Sequence, residues 1–253
     1  LKHSWLEEKL GNYPEALKLT ERARETVAGL QGLAVDRLIA STSACYATLL
    51  QAQGRSDEAV EWAGRAAREA EDVDDPEQLG AAYFVLGWAR GAQGKDGAEA
   101  LMLQAIEAFR RSGNRVRQAI TLSNVGGVCY WEGRWDDAMS YYERGREEST
   151  KVGNVVDAAT ASMNIAEILT DRGEHAEAEA MLQKTLPVWK SSEYRYFLGA
   201  CHWMLGRVSL RANRIDEALA RFAEARKVLT EVGAEVEVHD VDARVAECRM
   251  LKG

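Results

Sequence analysis

Residues 116–150, VRQAITLSNVGGVCYWEGRWDDAMSYYERGREEST, decide the fold of this chain. The first half of the stretch spaces small and apolar residues as one face of an α-helix, at Ala119, Leu122, Val125, Gly126 and Cys129. Gly133 then predicts the end of that helix, because glycine tolerates the left-handed conformation that follows a helix C-terminus. The second half forms a matching face from Trp135, Ala138, Met139, Tyr142 and Gly145. The stretch therefore predicts a hairpin of two helices that cross closely at their small residues.

The same hairpin pattern recurs along the whole chain. Glycine, or asparagine in its place, is followed by alanine at Gly11/Ala16, Gly54/Ala59, Gly94/Ala98, Gly133/Ala138, Gly173/Ala178 and Asn213/Ala218. Successive alanines lie 43, 39, 40, 40 and 40 residues apart. Self-similarity at a fixed period of about 20–50 residues is typical of solenoids, in which each repeat packs on its neighbours. We therefore expect an all-α superhelix of about five and a half helix pairs with a C-terminal capping helix.

The repeats divide the chain into consecutive segments of one helical domain over residues 1–253. We expect a truncated repeat at 1–30, full repeats at 33–72, 76–111, 115–151, 155–190 and 194–232, and a cap at 236–250. Pro187 falls late in a helical pattern and predicts that the helix ends or kinks there. In the cap, we expect Val236, Val241, Val245 and Cys248 to face inward.

The truncated first repeat leaves the N-terminal edge incompletely covered. Trp5 and Leu6 lie in this segment, and they offer a route to a weak homodimer through exposed apolar surface. The chain begins with Leu1 inside a helical pattern, and we expect it to be a fragment of a longer protein.

Composition excludes several classes of partner. With 46% hydrophobic and 28% charged residues, the chain fits a folded globular protein. The formal net charge of −8 argues against a nucleic-acid partner, which requires clustered lysine and arginine. No apolar run approaches the roughly 20 residues needed to span a membrane, so we expect no membrane partner. The four cysteines are widely separated, which predicts free thiols and a cytoplasmic, reducing location.

The sequence also lacks the common signatures of catalysis. It contains no GxxxxGK[ST] phosphate loop, no HExxH metal motif and no GxSxG nucleophile motif. Cys201 and His202 are adjacent on a predicted helix, where both cannot point at one metal ion, and no residue four positions away completes a site. We therefore predict no catalytic residue, no metal and no cofactor in this chain.

Leu86-Gly87, Gly94 and Ala98, together with Gly126, Gly133, Trp135, Ala138 and Tyr142, resemble the tetratricopeptide repeat signature. That resemblance implies a right-handed α-α superhelix. The common repeat has a period of about 34 residues, and this chain needs about 40. The longer variety resembles the repeat regions of bacterial multidomain signalling ATPases, class III adenylate cyclases and transcriptional regulators. It implies a non-catalytic scaffold or sensor that regulates an attached signalling domain.

The resemblance further implies a concave groove lined by the first helix of each pair. Carried over repeat by repeat, the groove-facing candidates are Phe84, Trp88, Tyr130, Trp131, Glu167, Asp171, Trp203, Arg207 and Arg211. Aromatic and arginine residues concentrate binding energy at interfaces, although any one ring could instead pack between repeats. An open groove favours a protein or peptide, or another domain of the same chain. A deep closed pocket favours a small signalling molecule, and homo-oligomerisation is a further alternative.

Overall fold

The computed structural model describes residues 1–9, 12–191 and 194–252, and every regular element in those ranges is an α-helix. The helices are α1 Lys2–Lys9, α2 Tyr13–Val27, α3 Leu33–Ala52, α4 Ser56–Asp72, α5 Pro76–Ala92, α6 Ala98–Ser112, α7 Arg115–Trp131, α8 Trp135–Lys151, α9 Val155–Asp171, α10 His175–Ser191, α11 Arg195–Arg211, α12 Ile215–Glu231 and α13 Glu235–Lys252. The all-α prediction is confirmed. The observed helix pairs begin and end within about three residues of the predicted repeat bounds, as expected for boundary estimates.

Two compact units divide the chain, a first unit at residues 1–132 with α1–α7 and a second unit at residues 133–253 with α8–α13. Within each unit, every helix packs on the next one along the chain, and the short connections make these neighbours antiparallel. Helix α3 also contacts α5, and α9 also contacts α11. These first helices of neighbouring pairs therefore lie side by side as a layer within their unit.

From the second pair onward, the turn inside each pair has a residue in the left-handed region; Gly11, predicted for the first turn, lies outside the described residues. Gly133 has φ 77°, and Asn213 takes the equivalent place with φ 58°. Asparagine is among the few residues other than glycine that adopt this conformation readily. The substitution of asparagine for glycine in the repeat pattern therefore preserves the turn.

Close helix crossings explain the small residues of the repeat. In α5, a Cβ atom added to Gly80 would lie 2.7 Å from the Phe109 ring of α6. A Cβ atom added to Gly87 would lie 2.8 Å from Met102 Cγ and 3.0 Å from the backbone oxygen of Ala98. Real Cβ atoms do not approach other atoms so closely, so glycine at these two positions permits the crossing.

Two glycines also permit the close crossing of α11 and α12. A Cβ atom added to Gly199 would lie 2.7 Å from Leu229 Cγ, and one added to Gly206 would lie 2.5 Å from the Phe222 ring. In both crossings, two glycines seven residues apart receive two large side chains that are themselves seven residues apart. Each crossing therefore packs two large side chains of the second helix against two glycines of the first helix.

Polar contacts between neighbouring repeats follow the same period. An aspartate in the first turn of a second helix pairs with the residue at the end of the following first helix, 36 positions later. Arg172 donates to Asp136 over 2.5 Å, Lys252 donates to Asp216, and Gln93 donates to Asp57 over 3.5 Å. These aspartates are exposed, so each pair contributes well under about 1 kcal/mol to stability.

Two local predictions need correction: a helix end at Pro187 is wrong, while a kink there stays a prediction, and the inward position of Val236 is wrong. Helix α10 does not end at Pro187 but continues to Ser191, with Leu186 and Trp189 buried on either side of the proline. Their packing holds the last turn despite the missing backbone N–H. Val236 does not face inward but is 74% exposed. It lies five residues before buried Val241, which places it about 140° around the helix from the buried face.

Candidate partner-binding site

The first unit carries two of the predicted aromatic residues one helical turn apart on α5. Phe84 is half-buried and packs against the apolar clusters formed by α3 and α4. Trp88 is 44% exposed, and its ring centroid lies 6.3 Å from that of Phe84. Phe84 therefore contributes to the core, and it supports an indole that presents nearly half of its surface to solvent.

Two more predicted aromatic residues lie in the last turn of α7. The rings of Tyr130 and Trp131 meet edge to face with centroids 5.6 Å apart. Tyr130 is half-buried, whereas Trp131 is 87% exposed. An indole with so much exposed apolar surface contributes little to the stability of the fold. Such surface is typical of a contact site for a partner.

In the second unit, the predicted charged residues contact one another. Arg207 of α11 donates from Nη1 to Glu167 Oε1 over 2.6 Å and from Nη2 to Asp171 Oδ1 over 3.2 Å, and both carboxylates belong to α9. The same guanidinium lies 4.9 Å above the Trp203 ring, within the range of a cation–π contact. The three charges therefore form a partly buried cluster that joins the two first helices. The separation of 36 and 40 residues between the partners was a signal for this pairing.

The remaining two candidates of the second unit differ in exposure. Trp203 is half-buried and packs against the apolar cluster of α12 and α13, and its Nε1 has no acceptor among the described residues. Arg211, one turn beyond Arg207, is exposed and has no ion-pair partner in the part of the chain that the structure describes. Arg211 is therefore a cation available to a ligand, while Trp203 supports Arg207.

Cys201 and His202 lie in the interior near these residues. Burial raises the pKa of the Cys201 thiol to about 11, and the thiol lies 3.5 Å from Thr185 Oγ1. Burial also lowers the pKa of His202, and the positive charges of Arg221 and Lys190 lower it further, against the opposing effect of Glu224. The thiol is therefore protonated and the imidazole neutral at neutral pH, and neither is activated as a nucleophile or an acid.

Across the described residues, no group of three or more histidine, cysteine, aspartate or glutamate side chains is placed to hold a metal ion. None of the helices in the described ranges combines the length and the apolar character that a membrane-spanning helix requires.

Each unit contains a shallow, open cavity. In the first unit, a cavity of about 200 Å³ lies between α3 and α5 and is lined by Ser41, Ala44, Cys45, Thr48, Glu77 and Ala81. In the second unit, a cavity of about 400 Å³ lies among α8, α9 and α10, with Arg146, Val155, Ser162, Glu177, Met181 and Lys184 in its lining. Neither cavity is lined by any of the five predicted aromatic residues. Those aromatic side chains lie outside both cavities.

Comparisons with known proteins agree with the repeat pattern. Residues 157–231 and residues 40–65 each match a family model described as a tetratricopeptide repeat. A comparison with curated protein sequences gave no match.

Solved structures share the fold at low sequence identity. BtubC from P. vanneervenii is 17% identical with a TM-score of 0.74, over 87% of this chain and 92% of its own. A Rap protein complexed with Competence and Sporulation Factor is 13% identical with a TM-score of 0.68, over 98% and 73% of the two chains. A signal transduction ATPase with a tetratricopeptide repeat sensor from Pyrococcus horikoshii is 13% identical with a TM-score of 0.67, over 99% of this chain and 41% of that protein. The matched repeats and this shared fold support a protein of the tetratricopeptide-repeat type.

Proposed function

We propose that this chain is a non-catalytic scaffold or sensor that binds a protein or peptide on the layer formed by its first helices. The observation that carries the proposal is the exposure of two indoles in the first unit, 87% for Trp131 and 44% for Trp88. Burying apolar surface contributes about 25 cal/mol per Å², and tryptophan offers the largest area of any side chain. Two such side chains supply the central contacts that interfaces depend on.

The exposed position of the aromatic residues favours an extended ligand over an enclosed small molecule. Small-molecule sites enclose most of their ligand, whereas the two cavities described above are open and lack these residues. A peptide or helix can instead lie along the layer and cover Trp88 and Trp131 from one side. The Rap protein solved with Competence and Sporulation Factor supports this kind of use for the fold.

The second unit carries charged residues of its own on its first helices. Arg207 is held by Glu167 and Asp171, so its charge is largely satisfied within the fold. Arg211 is exposed and can meet an acidic group of the ligand without breaking an existing pair. The second unit therefore offers an accessible cation at Arg211.

We also propose that the module regulates an attached signalling domain, such as an adenylate cyclase, an ATPase or a transcriptional regulator. The P. horikoshii protein supports this context, because its tetratricopeptide repeat sensor belongs to a longer signal transduction ATPase. In such an arrangement, ligand binding on the repeats changes the equilibrium between states of the attached domain.

A weak homodimer through the N-terminal edge is a second proposal. Leu6 of α1 is 49% exposed, which leaves apolar surface at this edge. The prediction for Trp5 falls on a side chain outside the described residues. Light scattering at several concentrations tests the proposal, and a strict monomer would contradict it.

The main proposal is tested by affinity capture with the wild-type chain and the Trp88→Ala/Trp131→Ala variant. We expect the wild type to retain a partner that the variant loses, with unchanged helical content by circular dichroism, because both side chains are substantially exposed. Leu103→Ala, at an exposed apolar position on α6, serves as the matched control. Equal capture by the double variant and the control would refute the proposal.

A further inference from the structure

The C-terminal helix α13 is equivalent to the first helix of a repeat. Each residue of α11 corresponds to the residue 40 positions later in α13. Buried Cys201 and Val208 thus correspond to Val241 and Cys248, which are also buried, against α12. Helix α13 therefore occupies the place of a first helix.

The face of α11 that packs on α12 has an equivalent face in α13, and that face is exposed. On α11, Gly199 and Gly206 receive Leu229 and Phe222 of α12. The equivalent residues of α13, His239 and Ala246, are exposed. The same structural face is thus covered by a helix in one repeat and uncovered in the next.

The uncovered face of α13 is a continuous stripe. It consists of exposed residues spaced alternately three and four positions apart, namely Val236, His239, Ala243, Ala246 and Met250. Val236 is 74% exposed and Met250 is 78% exposed, so large apolar side chains lie at both ends and small residues lie between them. This 3–4 spacing is the pattern by which one helix packs lengthwise on another.

Acidic residues flank the stripe where α11 has neutral or basic ones. The corresponding pairs are Arg195 and Glu235, Ala200 and Asp240, His202 and Asp242, and Arg207 and Glu247. Asp242 pairs with Arg226 of α12 and Glu247 pairs with Arg244, but Glu235 and Asp240 have no ion-pair partner among the residues that the structure describes. Exposed Arg249 lies beside the stripe as well, seven residues after Asp242, and offsets one of these charges, so the rim keeps a small net negative charge.

We propose that the open face of α13 is a docking site for an amphipathic α-helix of a partner protein, whose apolar stripe is flanked by arginine or lysine. The helix that covers the equivalent face of α11 has this chemistry. Its stripe is Ala218, Phe222, Ala225 and Leu229, and Arg221 and Arg226 lie on the two sides. A basic-flanked helix would place opposite charges along the acidic rim of α13.

The charges disfavour a second copy of α13 as the occupant. An antiparallel pair centred on Ala243 would match the apolar ends, Val236 against Met250. It would also bring Asp240 of one copy near Glu247 of the other, and like charges facing each other are destabilising.

A synthetic helix tests the proposal on the full chain. The probe has the sequence of residues 213–233, is labelled with fluorescein, and is stapled between positions 216 and 220, opposite its apolar stripe. We expect saturable binding by fluorescence anisotropy with a Kd of about 10–100 μM. The Val236→Asp/Met250→Asp variant should bind at least about tenfold more weakly, since it charges both apolar ends. Both side chains are exposed, so this variant keeps the fold, which circular dichroism checks.

Charge reversal provides the reciprocal test. A probe with Arg221→Glu and Arg226→Glu should bind the wild type about tenfold more weakly, and Asp240→Lys/Glu247→Lys in the chain should restore its binding. Glu25→Lys/Glu143→Lys, at exposed positions on other helices, makes the same charge change and should restore nothing. Absence of binding up to about 1 mM probe, or equal binding by the Val236→Asp/Met250→Asp variant, would overturn the proposal. A wild-type dimer in sedimentation equilibrium that this variant abolishes would assign the face to a second copy and also overturn it.

Discussion

Two glycine-to-alanine substitutions in the first unit should change stability in opposite directions. Gly64 of α4 and Gly87 of α5 both lie inside helices, where alanine is intrinsically preferred by about 0.5–1 kcal/mol. Their surroundings differ. A Cβ atom at Gly64 would meet only the flexible end of Arg68, at 3.8 Å, which is an ordinary contact. Gly64→Ala should therefore stabilise the protein by about 0.5–1 kcal/mol.

At Gly87 the added methyl group has no space. It would lie 2.8 Å from Met102 Cγ and 3.0 Å from the backbone oxygen of Ala98, and a backbone atom cannot move without shifting α6. Overpacking of this kind costs about 1–3 kcal/mol, which exceeds the gain in helix propensity. Gly87→Ala should therefore destabilise the protein by about 0.5–2 kcal/mol.

Urea unfolding followed by circular dichroism measures both changes. The two sites lie in the same compact unit, so a staged unfolding of the repeats affects both variants alike. Met102→Ala, combined with Gly87→Ala, should lose less stability than the sum of the single variants, because it removes one of the two clashes. Equal free energies of unfolding for Gly64→Ala and Gly87→Ala would refute the close-crossing account.

Three further predictions concern the second unit. Arg207→Ala should destabilise the protein by about 1–3 kcal/mol, measured by urea unfolding, since it leaves the carboxylates of Glu167 and Asp171 without their shared partner. Arg207→Lys should lose only part of that stability, because it keeps the positive charge. An unchanged urea midpoint for Arg207→Ala would contradict the cluster. The pKa of His202 is lowered in the folded state, so the unfolded chain binds the proton first as the pH falls. The stability associated with a neutral His202 is therefore present above the unfolded pKa of about 6.5. It is lost as the pH falls through the folded pKa. His202→Gln should weaken this acid dependence of the unfolding midpoint, and an identical pH profile would count against it. The raised pKa of Cys201, about 11, predicts that iodoacetamide modifies this buried thiol only after unfolding, whereas rapid native-state labelling in mass spectrometry would disagree.

The positions of the helices were predictable because the same sequence pattern occurs in several repeats. Each turn has its own glycine or asparagine, and small residues mark each crossing, so an error in one repeat is corrected by the others. The helix end at Pro187 and the inward position of Val236 were mispredicted because each depends on local packing rather than on the repeat. Tertiary packing overrides the intrinsic preference of one residue.

The helices that carry the candidate residues were predictable, but the contacts among those residues were not. The sequence placed Glu167, Asp171 and Arg207 on first helices, which the structure shows, but treated their charges as separate ligand contacts. Their pairing depends on how far α11 is displaced from α9 between neighbouring repeats. That distance cannot be inferred from the sequence of one repeat alone. The exposure of Trp131 has the same origin, since it depends on which neighbouring helix covers the end of α7.

The bonds between neighbouring repeats also bear on how the chain is made. Those described above join residues 36 or 40 positions apart, as in Arg172 to Asp136 at 36 and Arg207 to Glu167 at 40. A repeat therefore needs only about one further repeat of emerged chain to complete its contacts, and local contacts of this kind favour fast folding. At a synthesis rate of about 5–20 residues per second, that interval is about 2–8 seconds. Each unit can thus assemble pair by pair during translation, with only the most recently synthesised pair still lacking its next neighbour.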